Sequence, residues 1–178
     1  MANVQIRLPE PGDARAIQTV FHDTWLATYP NVGAGITRED VEDHFKDYFT
    51  DESLKKTAER IESYRADKNF FVAIVGEQLV GVCRTTRHPE YNQLQAIYVL
   101  PDYQGQGIGA ALWSAAKNEL EADKDVIVEV ASYNANAVAF YEKQGFKKES
   151  HVFFDERLKM ASGNVIPQIR MRLPAPIH

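Results

Sequence analysis

The stretch DYQGQGIGAALW (residues 102–113) decides how this chain is to be read. It sets glycine at positions 105, 107 and 109 and then runs straight into helix-forming residues. A glycine inside a helix costs roughly 1 kcal/mol against alanine, so three at a helix start answer some demand on the backbone. A ligand that must approach the main chain closely makes that demand. Two ligand classes satisfy the letters. Gly105, Gly107 and Ala110 spell G-x-G-x-x-G/A, the dinucleotide fingerprint, and Glu129 supplies an acid about 20 residues further on. Against that reading, Pro101, Asp102, Tyr103 and Gln104 separate the strand end from the first glycine. Antiparallel-looking hairpin strands also precede the loop, where a doubly wound parallel sheet would not place them. The other reading is Gln104-x-x-Gly107-x-Gly109, opening a helix directly after the strand that ends in YVLPDY.

Outward from this loop the periodicity changes twice. VQIRL near the start alternates as a strand does, and Asp13 is placed to cap the helix that follows. On that helix Ile17, Val20, Phe21, Thr24, Trp25 and Thr28 recur on one face. GAGITREDVEDHFKDYF reads as a loop and a second helix, with Thr37 and Asp40 spaced as a capping box, and DESLKKTAERIESYRA as a third. FFVAIV, QLVGVCRTT and LQAIYVL then read as strands, the first two joined by a short turn. After the glycine loop come the helix AALWSAAKNELEA, the strand DVIVEVA and the helix NANAVAFYEKQG, which Gly145 stops. FKKESHVFFDERL and NVIPQIRMRL form a closing hairpin around ASGN. Residues 1–178 read as one α/β (α+β) domain, a mixed and mostly antiparallel sheet of about seven strands flanked by helices.

Composition bounds the partners. A formal net charge of −5 argues against a general nucleic-acid binder, which would carry a basic surface. The single cysteine, Cys83, permits no disulfide within the chain, and histidines 22, 44, 88, 151 and 178 fall at no metal-ligand spacing, so no metal is expected. The opening residues show no signal-peptide pattern, and no apolar run approaches the roughly 20 residues that span a bilayer. A cytoplasmic protein without membrane contact is the expectation.

The glycine loop and a second stretch, in which Asn134, Ala137, Tyr141, Glu142, Lys143, Gly145 and Phe146 spell N..A...YEK.GF, stand about forty residues apart. Together they resemble the GNAT superfamily of N-acetyltransferases, over about Phe70 to Phe146 with good specificity. The resemblance implies an acetyl-CoA pyrophosphate wrapped by Gln104, Gly105, Gln106, Gly107, Ile108, Gly109 and Ala110. Backbone N–H groups and the positive end of the helix would supply the grip. The loop carries no lysine or arginine, so neutral donors and the dipole would do most of this, unless Lys143 reaches in. It further implies that Ile97, Tyr98 and Val99 run beside the pantetheine arm, with the N–H near Val99 polarising the thioester carbonyl. Asn134 would contact that arm as well as cap its helix, near Ala137.

By the same resemblance Tyr141 protonates the departing thiolate, a step for which a phenol of pKa about 10 against a thiol of about 8.5 is suited. The plain alternative is an aromatic anchor on a buried helix face. Glu129 resembles the general base of ribosomal-protein N-terminal acetyltransferases; read simply, it is a solvent-facing strand glutamate. Trp25 and Tyr29, at i and i+4, suggest one wall of an acceptor pocket, with the acids from Asp40 to Glu52 drawing in a cationic amine. A core aromatic pair and solvated helix faces are the alternative. The wall looks loosely similar to polyamine (spermine/spermidine) acetyltransferases. A protein-directed acetyltransferase and a non-catalytic acetyl-CoA-binding module are the other function classes, and the edge of the last hairpin suits a homodimer.

Overall fold

In the computed structural model, which describes residues 4–149 and 151–176, the alternating segments form a sheet of order β1-β2-β3-β4-β5-β8-β6, with β7 also paired to β8. The strands are β1 (Val4–Arg7), β2 (Phe70–Val75), β3 (Gln78–Arg87), β4 (Asn92–Val99), β5 (Val126–Ala131), β6 (Lys147–Lys148), β7 (Phe153–Lys159) and β8 (Val165–Leu173). The helices are α1 (Ala14–Thr28), α2 (Arg38–His44), α3 (Asp51–Asp67), α4 (Ile108–Lys117) and α5 (Ala135–Lys143). The chain divides into two compact units interleaved in sequence. The first holds Met1–Trp25, Phe45–Thr86 and Gln95–Leu120; the second holds Leu26–His44, Arg87–Leu94 and Glu121–His178.

Two faces organise the first unit. Antiparallel register pairs Val72 with Val82 and Ala73 with Gly81, so the two pairs point to opposite sides of the β2–β3 ribbon. Val72, Val82, Phe70 and Leu79 pack with Ile17 and Val20 of α1 and Ile61 of α3 into one core. On the other side a Cβ at Gly81 would stand 3.0 Å from the Tyr98 carbonyl and 3.1 Å from Leu112 Cδ1 of α4. Glycine there is what lets β4 and α4 close on the ribbon. Cys83 lies in the same strand, fully buried, and burial pushes its thiol pKa far up.

In the second unit β8 is the organising strand. It pairs antiparallel with β5 along six residues, from Val126↔Leu173 to Ala131↔Gln168, and with β6 and β7 along its other edge. β4 enters by a short parallel pairing, Asn92–Leu94 against Val126–Val128.

Several expectations change here. The closing stretch FKKESHVFFDERL is two strands, β6 and β7, rather than one, which raises the sheet to eight strands; Ser150 between them lies outside the described residues, as does His178. Asp13 does not cap α1. Its carboxylate accepts the Glu10 N–H at 2.7 Å and both Nη atoms of Arg7, closing the turn before the helix. α4 starts at Ile108 and so includes Gly109.

The capping box at α2 forms as read, and it reaches further. Asp40 is buried, 4% exposed. Its Oδ2 accepts the Thr37 N–H at 2.9 Å, and its Oδ1 accepts the Ser162 N–H at 2.9 Å from the β7–β8 turn. The backbone bond from Thr37, with those from Ser162, holds the Asp40 pKa down from 3.8 to about 2. Because the folded value is depressed, this stabilisation is present above the ordinary value and lost as pH falls through the folded one. Asp40→Ala leaves the Thr37 and Ser162 N–H groups without this partner and should cost about 1 kcal/mol in chemical denaturation. The wild type should lose stability between about pH 4 and pH 2, and the variant should show a flatter decline over that window.

Candidate functional site

The chain leaves β4 through a 3₁₀ turn at Pro101–Tyr103 and enters α4 through two left-handed glycines, Gly105 at φ +74° and Gly107 at φ +82°. Any side chain there is strained. A Cβ added at either meets no protein atom within 4 Å, so the demand is on conformation and the space beyond is open. Gly107 is the N-cap of α4, and no side chain caps that end. The first-turn N–H groups, Ile108 to Ala110, are therefore those a ligand would meet. Gln104, Gly105, Gln106 and Gly107 are all exposed, whereas Ile108 is an anchor, 2% exposed.

The glutamine side chains of the loop work inward. Gln104 Nε2 donates to the Val99 carbonyl at 2.9 Å, and Gln106 Nε2 to the Asp102 carbonyl at 3.1 Å. Tyr103 donates its hydroxyl proton to Gln78 Oε1 at 2.9 Å. These bonds pin the loop to the ends of β3 and β4, and the ligand-facing groups are left to be backbone. Ile97, Tyr98 and Val99 are half-buried in the first unit. Tyr98 is the hub of a ring cluster. Trp25 Nε1 donates to its hydroxyl at 3.2 Å, Phe21 meets it edge-on at 5.2 Å, and Trp25 contacts Phe45 at 5.4 Å.

α1 ends at Thr28, one residue before Tyr29. The Tyr29 carbonyl accepts the Tyr133 hydroxyl at 2.8 Å in the second unit, where burial pushes the Tyr133 pKa up to about 12. Three of the six acids between 40 and 52 are committed: Asp40 to its cap, Glu42 to Arg38 at 2.9 Å, and Glu52 to Lys56 at 2.6 Å.

In the second unit Asn134 caps α5, its Oδ1 accepting the Ala137 N–H at 3.1 Å. That bond uses the Ala137 donor. Tyr141 is buried, 6% exposed, between the rings of Phe140 at 5.4 Å and Phe146 at 5.6 Å, while Lys143 stands exposed in the last turn.

Glu129 is not the isolated carboxylate that an apolar strand suggests. It sits directly opposite Arg170, whose Nη2 donates to Oε1 at 2.8 Å. Both line a cleft of about 220 Å³ with Tyr91, Gln93, Asp125 and Arg172. Arg172 bridges Asp125 at 2.6 Å and Glu149 at 2.5 Å. The sequence showed Arg170 and Arg172 at alternate positions, but nothing in it paired that strand with β5. Among the described residues no cluster of three histidines, cysteines or acids could hold a metal ion, and no helix is long and apolar enough to cross a membrane.

Comparison with known proteins gives a coherent picture. A family model described as an acetyltransferase (GNAT) domain matches residues 27–162. The mycothiol acetyltransferase of Streptomyces griseus is 29% identical over 147 residues, covering 80% of this chain; the chain spans 43% of that protein's length. A Mycobacterium tuberculosis protein named a probable N-acetyltransferase is 25% identical, with 97% of this chain and 94% of that one aligned. Among solved structures, the PaiA N-acetyltransferase of Thermoplasma acidophilum, in complex with coenzyme A, superposes with a TM-score of 0.67. At 20% identity over 93% of this chain and 98% of that one, it establishes a shared fold.

Removing the α5 cap isolates one of these roles. Asn134→Ala should lower stability by about 1 kcal/mol, visible as a fall in Tm, and Asn134→Ser should restore most of it.

Proposed function

Because the chain belongs to the GNAT acetyltransferase family, we propose that it transfers the acetyl group of acetyl-CoA to a primary amine by direct attack. The observation that carries the reading is the cradle at the start of α4: two left-handed glycines, an uncapped helix end and open space where side chains would stand. Such a terminus suits a pyrophosphate, since its N–H groups are unspent and the helix adds roughly half a positive charge. Acetyl-CoA, when bound, supplies an acyl carbon activated as a thioester.

The residues of the chain then divide the work. The backbone of Gln104 to Ala110 holds the pyrophosphate, and Ile97 to Val99 flank the pantetheine arm, with the Val99 N–H aimed at the thioester oxygen. The amine nitrogen forms its bond to the acyl carbon as the carbon–sulfur bond breaks. Tyr141 gives its phenolic proton to the leaving sulfur. The ammonium proton goes to Glu129 or to water beside it. The Glu129 carboxylate already accepts from Arg170, so its use as a base requires that ion pair to loosen.

The finer identity of the acceptor rests on less. A polyamine, or another small cationic amine, has the aromatic set around Trp25 in its favour. Of the acids meant to attract it, Asp40, Glu42 and Glu52 are held by Thr37, Ser162, Arg38 and Lys56. A protein N-terminus or lysine is the alternative acceptor.

Two variants test the two halves of the reading. Gly107→Glu forces a side chain into a left-handed position and sets a carboxylate against the pyrophosphate, so calorimetric titration should show acetyl-CoA binding abolished; undiminished affinity would remove the loop from the site. Tyr141→Phe keeps the ring and removes the proton. Release of free coenzyme A thiol should slow about 10²-fold with stability nearly intact. A stability loss with near-normal turnover would make Tyr141 a packing residue only.

A further inference from the structure

We propose that Arg84 reads an anionic group on the acceptor, so that the amine acetylated here also carries a carboxylate or a phosphate. The inference rests on the acyl-transfer reading and names the substrate class for that same reaction.

Arg84 lies on β3 opposite Phe70, and the pairing puts both side chains on the face covered by α1 and α3. That is an apolar surface on which a cation is costly unless something answers it. Three arginines among the described residues are half-buried: Arg7, Arg84 and Arg172. Arg7 is held by Asp13, and Arg172 by Asp125 and Glu149. Arg84 has no carboxylate partner among the described residues, and its Nε, like that of Arg172, is buried without a hydrogen-bond partner. Native folds seldom leave a buried donor unanswered, and a guanidinium so placed presents a planar fork suited to an oxyanion.

What surrounds Arg84 points the same way. Burial raises the Tyr48 pKa, and the positive charges of Arg84 and Arg60 oppose that rise. Arg60 is exposed and likewise has no ion-pair partner among the described residues. Tyr48 stacks edge-on against Phe45 at 4.8 Å, Phe45 meets Trp25 at 5.4 Å, and Trp25 donates to Tyr98 on β4. The ring set therefore runs, within the first unit, from the strand assigned to the pantetheine arm to Tyr48, and its Tyr98 packs against the core cluster that holds Phe70, the cross-strand partner of Arg84. An amine lying along these rings would direct its far end to Arg84. Arg84 and Arg60 carry no ion pair among the described residues, so an anionic tail fits this surface better than a second ammonium.

The test is a matched panel with acetyl-CoA in excess: 4-aminobutanoate against its neutral amide, 3-aminopropyl phosphate against 3-aminopropanol, and spermidine. The wild type should prefer at least one anionic member over its neutral partner by about tenfold or more in kcat/KM, carried mainly by KM. The carboxylate and phosphate arms tell the two sources of the charge apart. In Arg84→Met that ratio should collapse towards one, while Arg84→Lys keeps part of it. A wild-type ratio at or below one, or spermidine as the best acceptor, overturns the proposal without any variant. So does Arg84→Met if it lowers both members of a pair equally. Turnover without charge preference overturns this inference alone; no turnover with any amine overturns the acyl-transfer reading and this one with it.

Discussion

The turn between β4 and α4 is the constraint on which the rest depends. A strand can be followed this closely by a helix whose first N–H groups stay unspent only if the backbone passes through left-handed conformations, and the chain does so at Gly105 and Gly107. The surrounding polar groups support this choice. Gln104, Gln106 and Tyr103 all bond inward to strand ends or to the turn itself. Ile108 anchors the start of α4 in the core, and Gly81 lets the helix settle on the ribbon. Conformation, packing and an open helix end thus agree at one place, and consistency across those levels is what distinguishes a built cradle from an incidental loop.

Charge in this protein serves mostly as fastening. Asp40 joins α2 to the β7–β8 turn, Glu129 joins β5 to β8, and Arg172 joins β8 to Asp125 and Glu149. Negative residues close together in sequence therefore need not sum to a field. Cross-strand pairs of this kind contribute modestly where exposed, and more where buried donors would otherwise be orphaned. Arg84, half-buried on β3, has no such fastening among the described residues.

Local chemistry was legible, and long-range pairing was not. The α2 capping box, the Asn134 cap and the β2–β3 hairpin each rest on residues within a few positions of one another, so spacing alone specified them. Strand order was hidden because β5 meets β8 across some forty residues, and alternation carries no label for its partner. That is why the alternation around Glu129 could not reveal Arg170 opposite it. Arg84 escaped notice because an arginine in a strand reads as solvent-facing until the packing of α1 and α3 covers that side.

Cys83 has a practical consequence for following the proposed reaction. It is the only thiol in the chain, it lies inside β3 with no exposed surface, and burial disfavours its thiolate. Disulfide reagents attack through the thiolate, so the folded protein is silent towards them. A colorimetric thiol reading in an enzyme mixture therefore reports liberated coenzyme A with no protein background. The same reagent added to enzyme alone becomes a gauge of integrity, since one equivalent of colour per chain develops only as β3 is unpacked.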